Sequence, residues 1–293
     1  MIGDAKPTKS QSADVARLGA MSSMTNSIAF IGGGNMASAI IGGLLGQGTP
    51  AAAIMVVEPH APARAALLQQ GVLAQPQAGE FLSAAALVVW AVKPQLFQAA
   101  SLPVRAHTRR ALHLSVAAGI RTESISRWLD SEQVVRAMPN TPALIGKGIT
   151  ALFARAEVTP EQRARVSQVM GTTGGVTWVD TEAQLDAVTA LSGSGPAYVF
   201  YFLQAMREAG VAMGLPAEQA YALAVATFIG AGELARVSSE PAEVLRQRVT
   251  SAGGTTHAAI TSMEQDNISA GFVRAMQAAQ QRALAMGDEY GSA

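Results

Sequence analysis

From Ile28 to about residue 153, short apolar and β-branched runs alternate with helix-length stretches, and beyond Glu182 the short runs stop. No other feature of the chain constrains its fold as much. The runs "IAFI", "AIMVVE", "LVVWAV" at 87–92, "ALHLSV" at 111–116, "VVRAM" at 134–138 and "ITALF" at 149–153 read as strands. Between the first of them lie "NMASAIIGGLLGQG" and "APARAALLQQG", periodic stretches that each stop at glycine. Strands separated by helices imply right-handed crossovers and a largely parallel sheet. The expected fold class is therefore α/β over residues 25–181, followed by an all-α domain over residues 182–293.

In the second half, "SGSGPAYVFYFLQAMREAGVAMG" opens with Ser and Gly, has Pro196 in its first turn and reads as helix through Ala209. "LPAEQAYALAVATFIGAGELARV" and "EPAEVLRQRV" follow, and a final helix is expected from about Ser269 to Met286. Residues 219–232 carry no charge and are apolar nearly all round, so both sides of that helix need cover. A partner subunit would supply it, so an oligomer built through this half is expected. The polar, aperiodic stretch from Met1 to about Met24 reads as a disordered tail outside the folded domains.

Composition removes several function classes. Lys plus Arg equals Asp plus Glu at 21 each, so no net field attracts nucleic acid or an anionic membrane. No cysteine is present, which excludes disulfides, thiolate metal sites and thiol nucleophiles. His60, His107, His113 and His257 lack metal-ligand spacing, so no metal is expected. The uncharged run from Thr25 to Val57 is broken by glycines and a Gly-Thr-Pro turn, too short in its apolar parts to span a bilayer. A soluble cytoplasmic protein is the expectation.

The first chemistry-bearing stretch is Gly32-Gly33-Gly34-Asn35-Met36-Ala37, which directly follows a strand and opens a helix. Gly32 permits the tight turn, Gly34 lets the backbone approach a pyrophosphate, and Ala37 lets the helix pack on the strand. The helix N-terminus adds free N–H groups and a positive dipole end. Glu58 ends the second strand, where such folds set an acid against the adenosine ribose. The alternative is a solvent-exposed strand-end acid. A carboxylate there favours free ribose hydroxyls, Arg64 could offset its charge, and the choice between NADH and NADPH stays open. "VVWAVKPQ" sets Val92, Lys93 and Pro94 at the carboxyl edge of the sheet. "SVAAGI" and "AMPNTPA" bring Ala117, Ala118, Gly119 and Asn140 to the same edge, where the small residues would give a nicotinamide or ribose close access.

A second glycine turn lies far downstream in "VTSAGGTTHAAI", residues 249–260. Gly253 and Gly254 can bend N–H groups into a concave nest, Ser251, Thr255 and Thr256 bring hydroxyls, and a helix starts behind them. That combination suits a small carboxylate, although a plain helix cap with a glycine lead-in would look the same.

At these residues the chain resembles the pyrroline-5-carboxylate reductase family, over about Ile28 to Ala285. The likeness is carried by "FIGGGNMASAIIGGL", "AVKPQ", "SVAAGI", "RAMPNTPALIGKG", "AVTALSGSGPAYVFYFLQAM" and "VTSAGGTTHAAI". The resemblance implies a nicotinamide-binding Rossmann domain followed by a helical domain that dimerises, sometimes into multiples of dimers. It also implies an active site between the cofactor cleft and the second glycine loop, a loop the neighbouring subunit can contribute. By motif, Ser251, Gly253, Gly254 and Thr255 would hold the substrate carboxylate, and Thr256 would hydrogen-bond the ring nitrogen. Gly32 to Ala37, Lys93, Pro94 and Ala117 to Gly119 would line the cofactor. Ala252 stands where the family usually has proline, which loosens the loop without removing a functional group.

The implied reaction passes a hydride from C4 of NAD(P)H to C5 of the cyclic imine carboxylate, giving L-proline. Thr256 is the expected orienting group at the imine nitrogen, with the proton arriving from solvent or with the substrate. A rival of similar plan, a β-hydroxyacid dehydrogenase, would carry a catalytic lysine on the helix "PAYVFYFLQAMREAG", which has none. A non-catalytic nicotinamide-binding regulator would have a damaged substrate loop, whereas "SAGGTT" keeps every polar group.

Overall fold

The computed structural model describes residues 27–291. The stretch from Met1 to about Met24, read above as a tail, lies outside the described residues. The chain forms two compact units, residues 27–193 together with 280–291, and residues 194–279.

In the first unit β1 (Ile28–Ile31), α1 (Asn35–Gly46), β2 (Ile54–Val57), α2 (Ala61–Gln69) and β3 (Leu73–Gln75) lead to β4 (Leu87–Trp90). Then come α3 (Pro94–Arg105), β5 (Leu112–Ser115), α4 (Thr122–Leu129), β6 (Val134–Met138) and β7 (Gly148–Ala154). The unit continues with α5 (Pro160–Gly171), β8 (Gly174–Trp178) and α6 (Gln184–Val188). The eight strands make one sheet in the order β3-β2-β1-β4-β5-β6-β7-β8. Every pairing is parallel except β6 with β7. That pair is joined by a single 3₁₀ turn, Thr141–Ile145, and a connection so short can only return antiparallel. The sheet is thus largely parallel, as the sequence pattern predicts.

Strands β1, β2, β4 and β5 are buried at every residue, which follows from helices covering both faces. One face packs Phe30, Val56, Val89 and Leu114 against Ile40 and Ile41 of α1 and Val166 and Val169 of α5. The other packs Ile31, Val57, Val88 and Trp90 against Phe97 of α3 and Ile125, Trp128 and Leu129 of α4.

The expected boundary at 181/182 precedes the division between the units, which falls after Gly193. The reason is a buried ionic cluster. Arg136 on β6, 2% exposed, meets Glu182 at 3.2 Å and Asp186 of α6 at 3.3 Å. Glu182 also accepts from Thr122 N–H at 2.7 Å and its hydroxyl at 2.6 Å. A buried guanidinium needs such partners, so α6 and the π-helical turn Thr189–Gly193 stay with the sheet.

The second unit comprises α7 (Gly195–Ala212), α8 (Ala217–Val237), α9 (Ala242–Arg248), α10 (Thr255–Gln265) and the first half of α11 (Ile268–Gly291). A Cβ on Gly210 of α7 would lie 2.7 Å from Ala220 Cβ of α8, so small residues set that close crossing. Tyr198 and Phe202 meet Phe272 edge-on at centroid distances of 5.6 and 5.8 Å, tying α7 to α11. Little else is buried. In α8 only Ala220 and Ala224 are covered, while Ile229 is 68% exposed and Leu234 55%.

In the first unit His113 is buried and its Nδ1 accepts from Trp90 Nε1 at 3.2 Å. Burial pushes its pKa down to about 4, against a hydrogen bond to the Thr108 backbone that raises it. The unfolded chain takes up this proton below about pH 6.5, whereas the folded chain stays neutral until about pH 4. Stability is therefore whole above the upper value and drains away as the pH falls towards the lower, by about 2 kcal/mol at pH 5. His113→Gln, which keeps an acceptor for Trp90, should flatten that loss. Between pH 7 and pH 5 its melting temperature should fall less than the parent's by about 4–8 °C, and parallel curves would show that His113 does not carry the effect.

Candidate active site

Gly32 lies at the end of β1 with φ +95°, and a Cβ there would come within 2.7 Å of the Ala91 carbonyl oxygen and 3.2 Å of Val92. Only glycine accepts both the angle and the approach. Its N–H donates to the Val57 carbonyl at 2.9 Å. Gly34 is exposed, and no atom lies within 4 Å of where its Cβ would be. Helix α1 begins there without a side-chain cap, so its first-turn N–H groups, from Asn35 and Met36 onward, lack intrahelical partners. Ala37 is fully buried against the sheet. Strand β1 lies between β2 and β4, so this turn opens at the carboxyl-edge switch point where α/β sheets bind ligands. The open side at Gly34 and the uncapped helix start fit the pyrophosphate of a dinucleotide.

Glu58 is neither exposed nor free. It is 9% exposed, and its Oε2 accepts from Gly33 N–H and its Oε1 from His60 N–H, each at 2.7 Å. The Gly33 N–H is thereby spent on the protein. Arg64 Nη1 donates to the Glu58 and Pro59 carbonyls at 2.9 Å each, which clamps the turn after β2.

Along the same edge Lys93 is exposed and caps α3 by its backbone, while Val92 and Pro94 are half-buried. Two groups of residues depart from the expected open cofactor wall. Ala117 is buried in the core and Gly119 is buried with Met286 of α11 2.8 Å from where its Cβ would be, so of the three small residues only Ala118 keeps surface. Asn140 donates to the Ser192 carbonyl at 3.1 Å and accepts from Ile149 N–H at 3.0 Å, so its amide braces the π-turn and β7 rather than facing a ligand.

Sequence reasoning missed the residues that make this cover. Arg121 pairs with Asp288 at 2.8 Å, Gln95 donates to Tyr290 Oη at 2.9 Å, and Arg127 donates to the Gly291 carbonyl at 2.9 Å. The last turns of α11 therefore strap the β4 and β5 loops together. Their partners are distant in sequence, so no local pattern could reveal them.

In the second unit the other glycine turn stands at the start of α10. Gly253 has φ +73° and open space around it, and Gly254 is the helix N-cap. Gly254 N–H closes the turn onto the Ser251 carbonyl at 3.0 Å, so the free donors are those of Gly253, Thr255, Thr256 and His257. Ser251 and Thr255 are exposed and Thr256 half-exposed. Among the described residues none of these three hydroxyls has a hydrogen-bond partner. No group of three or more His, Cys, Asp or Glu is placed to hold a metal ion among the described residues.

A switch-point glycine turn, an acid at the end of β2 and a largely parallel sheet define a Rossmann-type dinucleotide-binding protein with an appended helical unit. Comparison with known proteins narrows this. The model "Pyrroline-5-carboxylate reductase dimerisation" matches residues 182–286, and "NADP oxidoreductase coenzyme F420-dependent" matches residues 27–119. The pyrroline-5-carboxylate reductase of Pseudomonas aeruginosa is 43% identical over 271 residues, 91% of this chain and 99% of the relative. That of Haemophilus influenzae is 39% identical over 262 residues, 88% of this chain and 97% of the relative. A solved pyrroline-5-carboxylate reductase from Coxiella burnetii superposes with a TM-score of 0.84 at 36% identity, over 89% of this chain and 98% of that one. A Plasmodium falciparum pyrroline carboxylate reductase with NADP bound gives 0.80 at 26% identity, over 89% and 98%. The chain belongs to the pyrroline-5-carboxylate reductase family.

Gly32→Ala tests the first turn. The strain of an L-residue at this angle, about 1–3 kcal/mol, adds to a carbonyl clash, so dinucleotide affinity should fall about tenfold or more along with the melting temperature. Titration calorimetry reads the first and a thermal melt the second. Undiminished affinity would move the dinucleotide elsewhere.

Proposed function

We infer that the chain reduces 1-pyrroline-5-carboxylate to proline with NAD(P)H, the last step of proline synthesis. Family membership supports the reaction. The observation that carries the assignment within this molecule is the second glycine turn. It sets unpartnered hydroxyls and free N–H groups around an open αL glycine, as a small carboxylate requires.

In this reading the substrate carboxylate is held by the Ser251 and Thr255 hydroxyls and by the N–H groups of Gly253 and Thr255. Gly254 contributes through its shape, since its own N–H closes the turn. Thr256 orients the ring nitrogen by a hydrogen bond. In the first unit the N–H groups of Gly34 to Ala37 hold the cofactor pyrophosphate, with Lys93 as a nearby cation. When bound, the reduced nicotinamide supplies the hydride that C5 of the imine accepts. The ring nitrogen is already protonated in the iminium form, so the product keeps that proton and the chain needs no strong acid. Thr256 is accordingly a positioning donor or acceptor. Helix α7 carries no lysine, which removes the catalytic base an alcohol dehydrogenase of this plan would use.

The chain self-associates through its helical unit, and a dimer or a multiple of dimers is proposed. Tyr201 is 71% exposed on α7 and Ile229 68% on α8, and an apolar helix left so bare in one copy is explained by a second copy. Helix α8 is also long and apolar enough to cross a membrane by length and composition. Cover by another subunit is preferred here because the dimerisation model spans this helix. The enzyme is proposed to act in the cytoplasm, without nucleic-acid or membrane partners.

Oxidation of NADH or NADPH at 340 nm with pyrroline-5-carboxylate should show turnover, and none with either nucleotide by folded, nucleotide-binding protein would refute the assignment. Thr256→Val should keep nucleotide affinity and lower kcat/KM by about tenfold or more. Full activity would remove Thr256 from the site. Light scattering after size exclusion should give a dimer or larger, and a concentration-independent monomer would end the oligomer reading.

A further inference from the structure

We propose that Glu58 makes this chain prefer NADH to NADPH, acting as a fixed carboxylate that accepts the free ribose and rejects a 2′-phosphate. The proposal rests on the nicotinamide reading of the first glycine turn but not on the imine reading. A Plasmodium falciparum relative is solved with NADP bound, so rejection of a 2′-phosphate here must rest on this chain's own residues.

Three observations carry it. Glu58 directly follows β2, beside the glycine turn at the switch point, where an adenosine ribose lies in folds of this class. Its two oxygens are each bonded to a backbone N–H at 2.7 Å, one from the turn after β1 and one from the turn after β2. Swinging the side chain aside to admit a phosphate would strand both donors, so the carboxylate stays in place. Finally, Arg64, the cation that could neutralise it, is bonded to the Glu58 and Pro59 carbonyls rather than to the carboxylate.

The chemistry then separates the two nucleotides. A carboxylate has about four lone-pair sites, and two remain once Gly33 and His60 are served. Those sites accept the hydrogens of the ribose hydroxyls. A 2′-phosphate brings acceptors in place of a donor, together with a charge of about −1.5 to −2. With 9% of the residue exposed, water does little to screen that repulsion.

The test is titration calorimetry on the full chain at pH 8 in low salt, with NADH, NADPH, ADP-ribose and its 2′-phosphate, and no imine. NADH should bind at least about tenfold more tightly than NADPH, about 1.4 kcal/mol, with the same order for the fragment pair. Raising the salt should leave most of the gap in place, because a carboxylate this buried is screened little. Glu58→Gln and Glu58→Ser should each narrow or invert it, chiefly by strengthening NADPH. If neither variant folds, the parent's ratio and its salt dependence decide. Affinities within about twofold of each other, tighter NADPH, or a gap indifferent to both substitutions would overturn the proposal alone. Binding of neither nucleotide would overturn the dinucleotide reading of the turn with it.

Discussion

At the carboxyl end of β1 the backbone of Gly32 presses on the carbonyl of Ala91, so closely that a Cβ would come within 2.7 Å of that oxygen. The loops after β1 and β4 are therefore packed backbone to backbone, and the start of α1 is aimed across the sheet edge. Glu58 completes the arrangement from β2. A carboxylate this buried would be costly alone, but two charge-assisted bonds of 2.7 Å offset its desolvation, at about 1.5–3 kcal/mol each. Three adjacent strands thus end in one fixed frame, with the unspent N–H groups of Gly34 and beyond as its open side. The interior below has only to be well packed.

What could be read from the chain beforehand follows the range of each interaction. The strands with continuous apolar runs were legible because burial on both faces leaves few polar positions, His113, Ser115 and Arg136 among them. Strand β3, "LAQ", is three residues long and alternates in burial, and β8 begins with two glycines, so neither announces itself. In β8 the glycine is obligatory, since a Cβ on Gly174 would lie 2.0 Å from the Gly148 carbonyl oxygen. The turn from Gly32 to Ala37 was legible for the same local reason, being a strand end and a helix start in a few residues. The position of Glu58 was legible, but its engagement was not, because its partner Gly33 belongs to another turn. The place of Gly119 was less legible, because smallness alone does not distinguish room for a ligand from room for Met286. The bonds of Asn140 were not legible either, since an amide beside a cleft reads the same whether it faces a ligand or braces Ser192 and Ile149.

The helical unit inverts the usual relation between pattern and burial. Its helices have the apolar content of core elements, yet α10 buries no residue and α7 only Leu203 and Gly210. The small crossing of Gly210 on Ala220 and the aromatic cluster at Phe272 hold the helices to one another but cover few of their faces. A sequence selected for a single copy would have placed polar residues on the rest. Apolar residues there are economical only if the folded state includes a second chain, which makes the completeness of this unit a property of the assembly.

The two glycine turns are built on one plan and differ in what surrounds it. Each holds a glycine at positive φ, each starts a helix without a side-chain cap, and each spends glycine N–H groups internally, Gly32 on the Val57 carbonyl and Gly33 on Glu58 in the first, Gly254 on the Ser251 carbonyl in the second. The first is braced by a carboxylate and offers backbone donors alone, which matches a large ligand fixed at many points along its length. The second has no such brace but brings three hydroxyls with no protein partner among the described residues. A small ligand has few atoms through which to be held, so each must meet a directed donor, and the hydroxyls provide them. The first turn is thereby suited to a molecule recognised by its backbone-like pyrophosphate. The second is suited to one recognised through a single small anionic group.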